Sequence, residues 1–354
     1  MEPRQVYIKR ILIILGLAIT AVISIAIAWL FNDNLTGRPN GFTRKWIGHN
    51  AIPLQSMANE DDIIAGSGLS STQIYFQSRV PGLIIYTDLN LRRKQYITLN
   101  IEADSKITSR FRMHVDSPQV YIYAGNVPTI FSGNLNTPHV VHKHLFPERH
   151  YTRGVNISQN TFVIREYSKN YTYQEFMKVD PSHRLSVYAK GISPPGENAD
   201  LSSDGLLHYD KDSGTLIYVH FYNNSVIGID TNLHLIYKAT TIDTVRTHKI
   251  NMIDIQSGNT IRRTNAGPKR FINRTSYVNE GILYVNSMLK ADNENNIVFA
   301  SNAVFDTYNV KDGSYRGSFY LPMSKKKVPM DFCVSGQLLV AVFKDQIITY
   351  HIPF

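Results

Sequence analysis

Residues 206–239 read LLHYDKDSGTLIYVHFYNNSVIGIDTNLHLIYKA. Four apolar or aromatic runs, Leu206–Tyr209, Thr215–Tyr222, Ser225–Ile229 and Leu233–Ala239, are separated by Asp-Ser-Gly, Asn-Asn and Thr-Asn. β-Branched and aromatic side chains fit a pleated surface, while Gly, Asn and Asp supply the backbone geometry of tight turns. The stretch therefore predicts a four-stranded antiparallel meander. The pattern recurs near the C-terminus as Thr275–Val278, Gly281–Val285, a run over 297–310 and Ser314–Leu321, with Lys311-Asp312-Gly313 as a hairpin signal. Shorter runs of the same kind precede it, among them Gln73–Phe76, Leu83–Tyr86, Gln95–Leu99, Gln119–Tyr123, Thr161–Ile164 and Leu185–Tyr188. Meanders repeating every ~40 to 55 residues predict an all-β fold, a β-propeller. Six blades fit better than seven: 61–101, 106–147, 150–192, 200–243, 268–322 and 323–354. The last is one strand short, and Phe42–Gly48 (FTRKWIG) is the expected donor that closes the ring and removes an edge. Residues 244–267 do not fit the repeat and are expected to be an insertion.

Composition narrows the chemistry. The 354 residues carry 37 Lys+Arg against 28 Asp+Glu, a net +9, which is basic but far from the density of a dedicated nucleic-acid binder. No interleaved aromatic stacking pattern is present, so no nucleic acid is expected as a partner. The one cysteine, Cys333, excludes an intrachain disulfide and any CxxC centre. Its neighbours Phe332 and Val334 place it as a small buried hydrophobe. Walker A, GxGxxG, HExxH and GxSxG patterns do not occur, nor does haem or iron–sulfur ligation. No cofactor is expected beyond a divalent metal that a histidine cluster would admit.

Residues Ile11 to Phe31 (ILIILGLAITAVISIAIAWLF) carry no charge and nothing more polar than Thr20 and Ser24. At ~1.5 Å per residue that run spans a hydrocarbon core of about 30 Å. Arg4, Lys9 and Arg10 precede it, which predicts a cytoplasmic tail (1–10), a transmembrane helix (11–31), a polar linker (32–41) and an exported propeller (42–354). The expected location is a bacterial inner membrane, single-pass, with the propeller on the periplasmic side. Ala26-Ile27-Ala28 also offers a leader-cleavage site, and either reading exports the remainder.

Two groups of residues are candidate sites. His142 and His144 in HVVHKH share one face of a strand about 7 Å apart, a spacing that suits two ligands of one metal, with His150 as a third. Basic residues recur where each blade opens: Arg112 and Arg153, then Arg270 and Arg274, together with Arg110, Lys269 and Lys325–Lys327. A shared register would bring them to one face, where they would hold a small anionic ligand or an acidic partner. Glu60-Asp61-Asp62 would bind a cation at a channel mouth or sit as a solvated turn, and Asp292–Asn296 is expected to be a hairpin loop.

The endings Phe305-Asp306-Thr307-Tyr308, Lys311-Asp312-Gly313-Ser314-Tyr315 and Ser318-Phe319-Tyr320-Leu321-Pro322 resemble those of bacterial exported six-bladed propellers of the NHL and TolB-like group. The resemblance implies the fold. Members of the group bind proteins, carbohydrates, peptides or small molecules, and a few are enzymes, so no activity is carried over. The reading is a membrane-tethered binding or scaffold module for a protein or a small anionic ligand, with catalysis left open by the residues. The alternative is a metal-dependent hydrolase of the lactonase type with its site in the central channel.

Overall fold

The computed structural model describes residues 3–36, 39–102, 107, 111–145, 150–167, 173–181, 185–189, 191–192, 203–246, 252–257, 260–265 and 271–354. Two compact units are present, Met1–Gly41 and Phe42–Phe354. The first is one helix, α1 (Pro3–Thr36). Its segment Ile8–Ile27 is long and apolar enough to cross a bilayer, a test that a signal sequence also passes. Thr20 and Ser24 return their hydroxyls to backbone carbonyls one turn back, so neither presents an unpaired polar group.

The second unit contains six four-stranded antiparallel sheets, each a meander, arranged as the six blades of a propeller. Their innermost strands are Ala65–Leu69, Arg112–Asp116, Tyr151–Asn156, Gly205–Asp210, Asn273–Asn279 and Asp331–Ser335, for blades one to six. Blade six takes its outermost strand, Ile52–Ala58, from the N-terminal side, paired antiparallel with Gln346–His351. Ring closure was thus correctly expected, but the donor is not Phe42–Gly48. That segment makes only one bridge, Trp46 to Ser318 on the rim of blade five, because a buried ion cluster holds it there. Arg44 binds Glu294 and Asp306, with all three side chains almost fully buried. It also donates to Ser287 Oγ at 2.9 Å and Leu289 O at 3.0 Å.

The second strand of each blade explains the packing. Residues 74–76 are buried on both faces. Ile74 and Phe76 pack with Cys333 and Val340 of blade six, whereas Tyr75 packs with Met113 and Ile122 of blade two. Blade four repeats this, with Leu216 and Tyr218 against Phe176 and Ile217 and Val219 against Val285. A period of two sends alternate side chains to opposite neighbours, so a strand sandwiched between blades reads as continuously apolar. The core is therefore a set of seams between blades.

One local expectation is corrected. Asp292–Asn296 do lie in the loop that joins the second and third strands of blade five, but the strand expected from 297 begins only at Asn302. A short helix, α2 (Asn296–Ser301), intervenes because the Asn295 side chain accepts from the N–H groups of Ile297 and Val298. Within the insertion, Met252–Ser257 pairs with Thr260–Asn265 as a separate hairpin.

Candidate functional site: the mouth of the central channel

In a four-stranded meander the loops between strands two and three and the links to the next blade share one face. The first residues of every inner strand open on that face. In blade two the inner strand reads Arg112-Met113-His114-Val115-Asp116. Met113 and Val115 fill the seam with blade one, so Arg112, His114 and Asp116 turn the other way.

Ion pairs show that these polar residues reach the axis. Arg112 Nη1 lies 3.5 Å from Asp331 Oδ2 of blade six, although blade one stands between them. At the opposite mouth Asp116 pairs with Lys211 of blade four, past blade three. Neither pair can form around the outside of the ring. Blade one makes the first possible through its glycines. A Cβ on Gly66 would meet Cys333 Sγ at 2.8 Å, and one on Gly68 would overlap the Val115 carbonyl oxygen. Without side chains there, blades six and two close in over blade one.

The remaining inner strands complete a mixed ring. Arg153 of blade three donates to Gly205 O at 2.5 Å and Thr152 O at 2.6 Å, pairs with Asp204 at 3.3 Å, and lies over the Phe221 ring. His208 of blade four has its Nε2 2.8 Å from Ser276 Oγ of blade five. Burial, reinforced by Arg112, His114 and Arg153, pushes His208 down to about 3, so it is neutral at physiological pH. Burial lowers His114 too. Burial raises Asp331 to about 6, against the downward pull of Arg112 and the N–H groups of Phe332 and Gly66.

Arg274 differs from the other arginines. It is the extra residue of a bulge where blade five's inner strand begins, between the pairs Asn273–Ser287 and Thr275–Asn286. It is partly buried, and among the described residues it has neither a hydrogen bond nor an ion pair. Burial alone depresses its guanidinium.

Of the predicted anion-binding residues, the structure sets Arg112, Arg153 and Arg274 on the opening segments of three inner strands. Arg270 lies outside the described residues, as do Arg110 and Lys269. The predicted metal residues do not assemble. His142 and His144 lie on the outermost strand of blade two. His144 Nε2 is 3.0 Å from Ser132 Oγ, while His150 Nδ1 sits 3.3 Å from Gly125 O. No group of three His, Cys, Asp or Glu side chains placed to hold a metal occurs among the described residues. Asp61 is taken by Lys94 and Tyr96, and Asp62 by Arg79. Sequence reasoning missed His114, His208, Ser276 and Asp331. The strict polar–apolar alternation of residues 112–116 was the signal available for His114.

No family model matches the chain, and no curated protein matches it. Solved structures share its fold. A member of the DUF4221 family from Bacteroides vulgatus aligns at 12% identity and TM-score 0.53, over 87% of this chain and 98% of that one. A protein of unknown function from Bacteroides thetaiotaomicron aligns at 10% identity and TM-score 0.50, over 88% of this chain and 74% of that one. Virginiamycin B lyase from Staphylococcus aureus aligns at 10% identity and TM-score 0.49, over 84% and 98%. At such identity the likeness is one of fold alone.

Proposed function

We propose that the protein is a membrane-tethered, extracytoplasmic propeller that binds a small carboxylate- or phosphate-bearing ligand at the channel mouth. The observation that carries this reading is Arg274, a partly buried guanidinium on an inner strand with no carboxylate opposite it among the described residues. A desolvated cation without a counterion is costly, and a bound anion would relieve that cost. Arg112 and Arg153 supply further donors of the forked kind that suits carboxylate and phosphate. Their partners Asp331 and Asp204 leave one cation of the three in excess. His208, neutral and bonded to Ser276, adds a polar group without adding repulsion or attraction of its own.

The test is titration calorimetry of the full chain in detergent against phosphate, sulfate and short mono- and dicarboxylates at low salt. Binding of at least one anion is expected, weakened about tenfold or more by Arg274→Gln, the loss of one charge-assisted contact. If no anion binds, or Arg274→Gln binds as wild type does, the reading is wrong.

A further inference from the structure

Three features of blade five meet on the face where the inner strands open. The first is α2, in the loop between the blade's second and third strands. None of its residues is buried, Ile297 is 77% exposed and Val298 is 39% exposed. A lone exposed apolar residue is ordinary, but this is an adjacent pair at the tip of a loop. The second is the link to blade six. Met323 N–H donates to Ser301 O, which sets the start of that link beside the C-terminal end of α2. That link carries Lys325, Lys326 and Lys327, all exposed, the first two in the left-handed region at φ 46° and 58°. Lys325 pairs with Asp345, whereas Lys326 and Lys327 have no ion pair among the described residues. The third is the point where the chain joins the propeller. Phe42 packs on Leu289 and Ala291, and Phe42 O accepts from Asp292 N at 2.8 Å. Phe42 is the first residue of the propeller unit, and it is seated on the same loop that bears α2.

An apolar tip flanked by lysines is the composition of a segment that lies in the interfacial layer of an anionic bilayer. The charges facing it include Asp292 on the same loop and Asp345, which is paired with Lys325 and also feels Lys327. We infer that Ile297 and Val298 dip into the lipid headgroup layer with Lys326 and Lys327 on anionic headgroups, seating the propeller against the membrane. This rests on the tethered reading above.

The buried thiol of Cys333 makes a site-specific probe practical, because it is 0% exposed and its thiol is pushed up by burial. The full chain, carrying Asn296→Cys labelled with an environment-sensitive fluorophore, is reconstituted into phosphatidylcholine vesicles with and without phosphatidylglycerol. A second sample carries the label at Asp212→Cys, on the opposite face. Quenching by doxyl-labelled lipid at position 296 should exceed that at 212 several-fold, and aqueous iodide should show the reverse. Phosphatidylglycerol should strengthen the contact, and Ile297→Asp/Val298→Asp or Lys326→Glu/Lys327→Glu should each abolish most of it. Vesicle flotation reports the tether separately. Protein that floats with vesicles while position 296 is as accessible to iodide as 212 overturns the lipid contact alone. Protein that does not float overturns the tether and this contact together. A blue shift at 296 without lipid quenching, growing with protein density, assigns the tip to a second copy and also overturns it.

Discussion

Replacing His208 by Gln should remove a defined part of the protein's sensitivity to acid. His208 is held at about 3 in the folded protein, against 6.5 in the unfolded chain. A depressed histidine contributes stability that is complete above the unfolded pKa and is lost as pH falls, since only the unfolded chain takes up the proton. Between pH 7 and pH 5 the loss integrates to about 2 kcal/mol. His220, held at about 4 by burial, loses a similar amount over the same interval. Asp331, raised to about 6, works in the other direction and returns about 1 kcal/mol as it protonates in the folded state. Wild type should therefore be less stable at pH 5 by about 2 to 3 kcal/mol from these three groups. In His208→Gln about 2 kcal/mol of the dependence should vanish, the amide keeping a partner for Ser276. At ~2.1 cal/mol/K per residue over roughly 300 residues, that is about 3 °C of Tm. The assay is calorimetric unfolding of both proteins at pH 7 and pH 5, read as a difference of differences so that every other titrating group cancels. Identical pH slopes would mean that His208 takes up its proton in the folded protein as readily as in the unfolded chain, and the account of a buried, depressed histidine in the channel would fail.

Other outcomes follow from the same geometry. Arg44→Met leaves Glu294 and Asp306 buried without their cation and should cost about 3 to 5 kcal/mol, or roughly 5 to 8 °C of Tm. Adding Glu294→Gln and Asp306→Asn should recover most of that, and a triple variant no better than the single one would show that the cluster does not pin the 42–46 segment. Gly68→Ala sets a methyl group against the Val115 carbonyl and should lower the urea midpoint by the equivalent of about 1 to 3 kcal/mol. An unchanged midpoint would refute the close approach of blades one and two.

Much of this protein could be read before any coordinates. Period-two runs bounded by Gly, Asn and Asp are local properties of the chain, so the meanders, their number and most blade limits were legible. So was the apolar segment Ile11–Phe31, since its length and lack of charge need no neighbour to interpret. The closing strand was misassigned because the choice between Phe42–Gly48 and Ile52–Ala58 depends on a cluster assembled across 250 residues. Glu294 and Asp306 claim Arg44, and no local pattern announces that. The short helix α2 was missed for a different reason, since one Asn cap outweighed the strand propensity of Ile-Val-Phe.

The channel divides the same way. That arginines recur where blades open is visible in the sequence, and Arg112, Arg153 and Arg274 were named from it. Which arginine has a carboxylate opposite was decided only by the closed ring, which carries Arg112 past blade one to Asp331 and leaves Arg274 with none among the described residues. The histidines reverse the lesson. HVVHKH drew attention because its residues are adjacent in sequence, yet His144 bonds to Ser132 on the outer strands of blade two, while His150 sits against Gly125 O, just past that blade's second strand. His208 and His114, ninety-four residues apart, share the channel because a closed circle of strands converts distant positions of equal register into neighbours. Sequence determines which faces of a strand are polar. Only closure of the ring decides what each polar face meets.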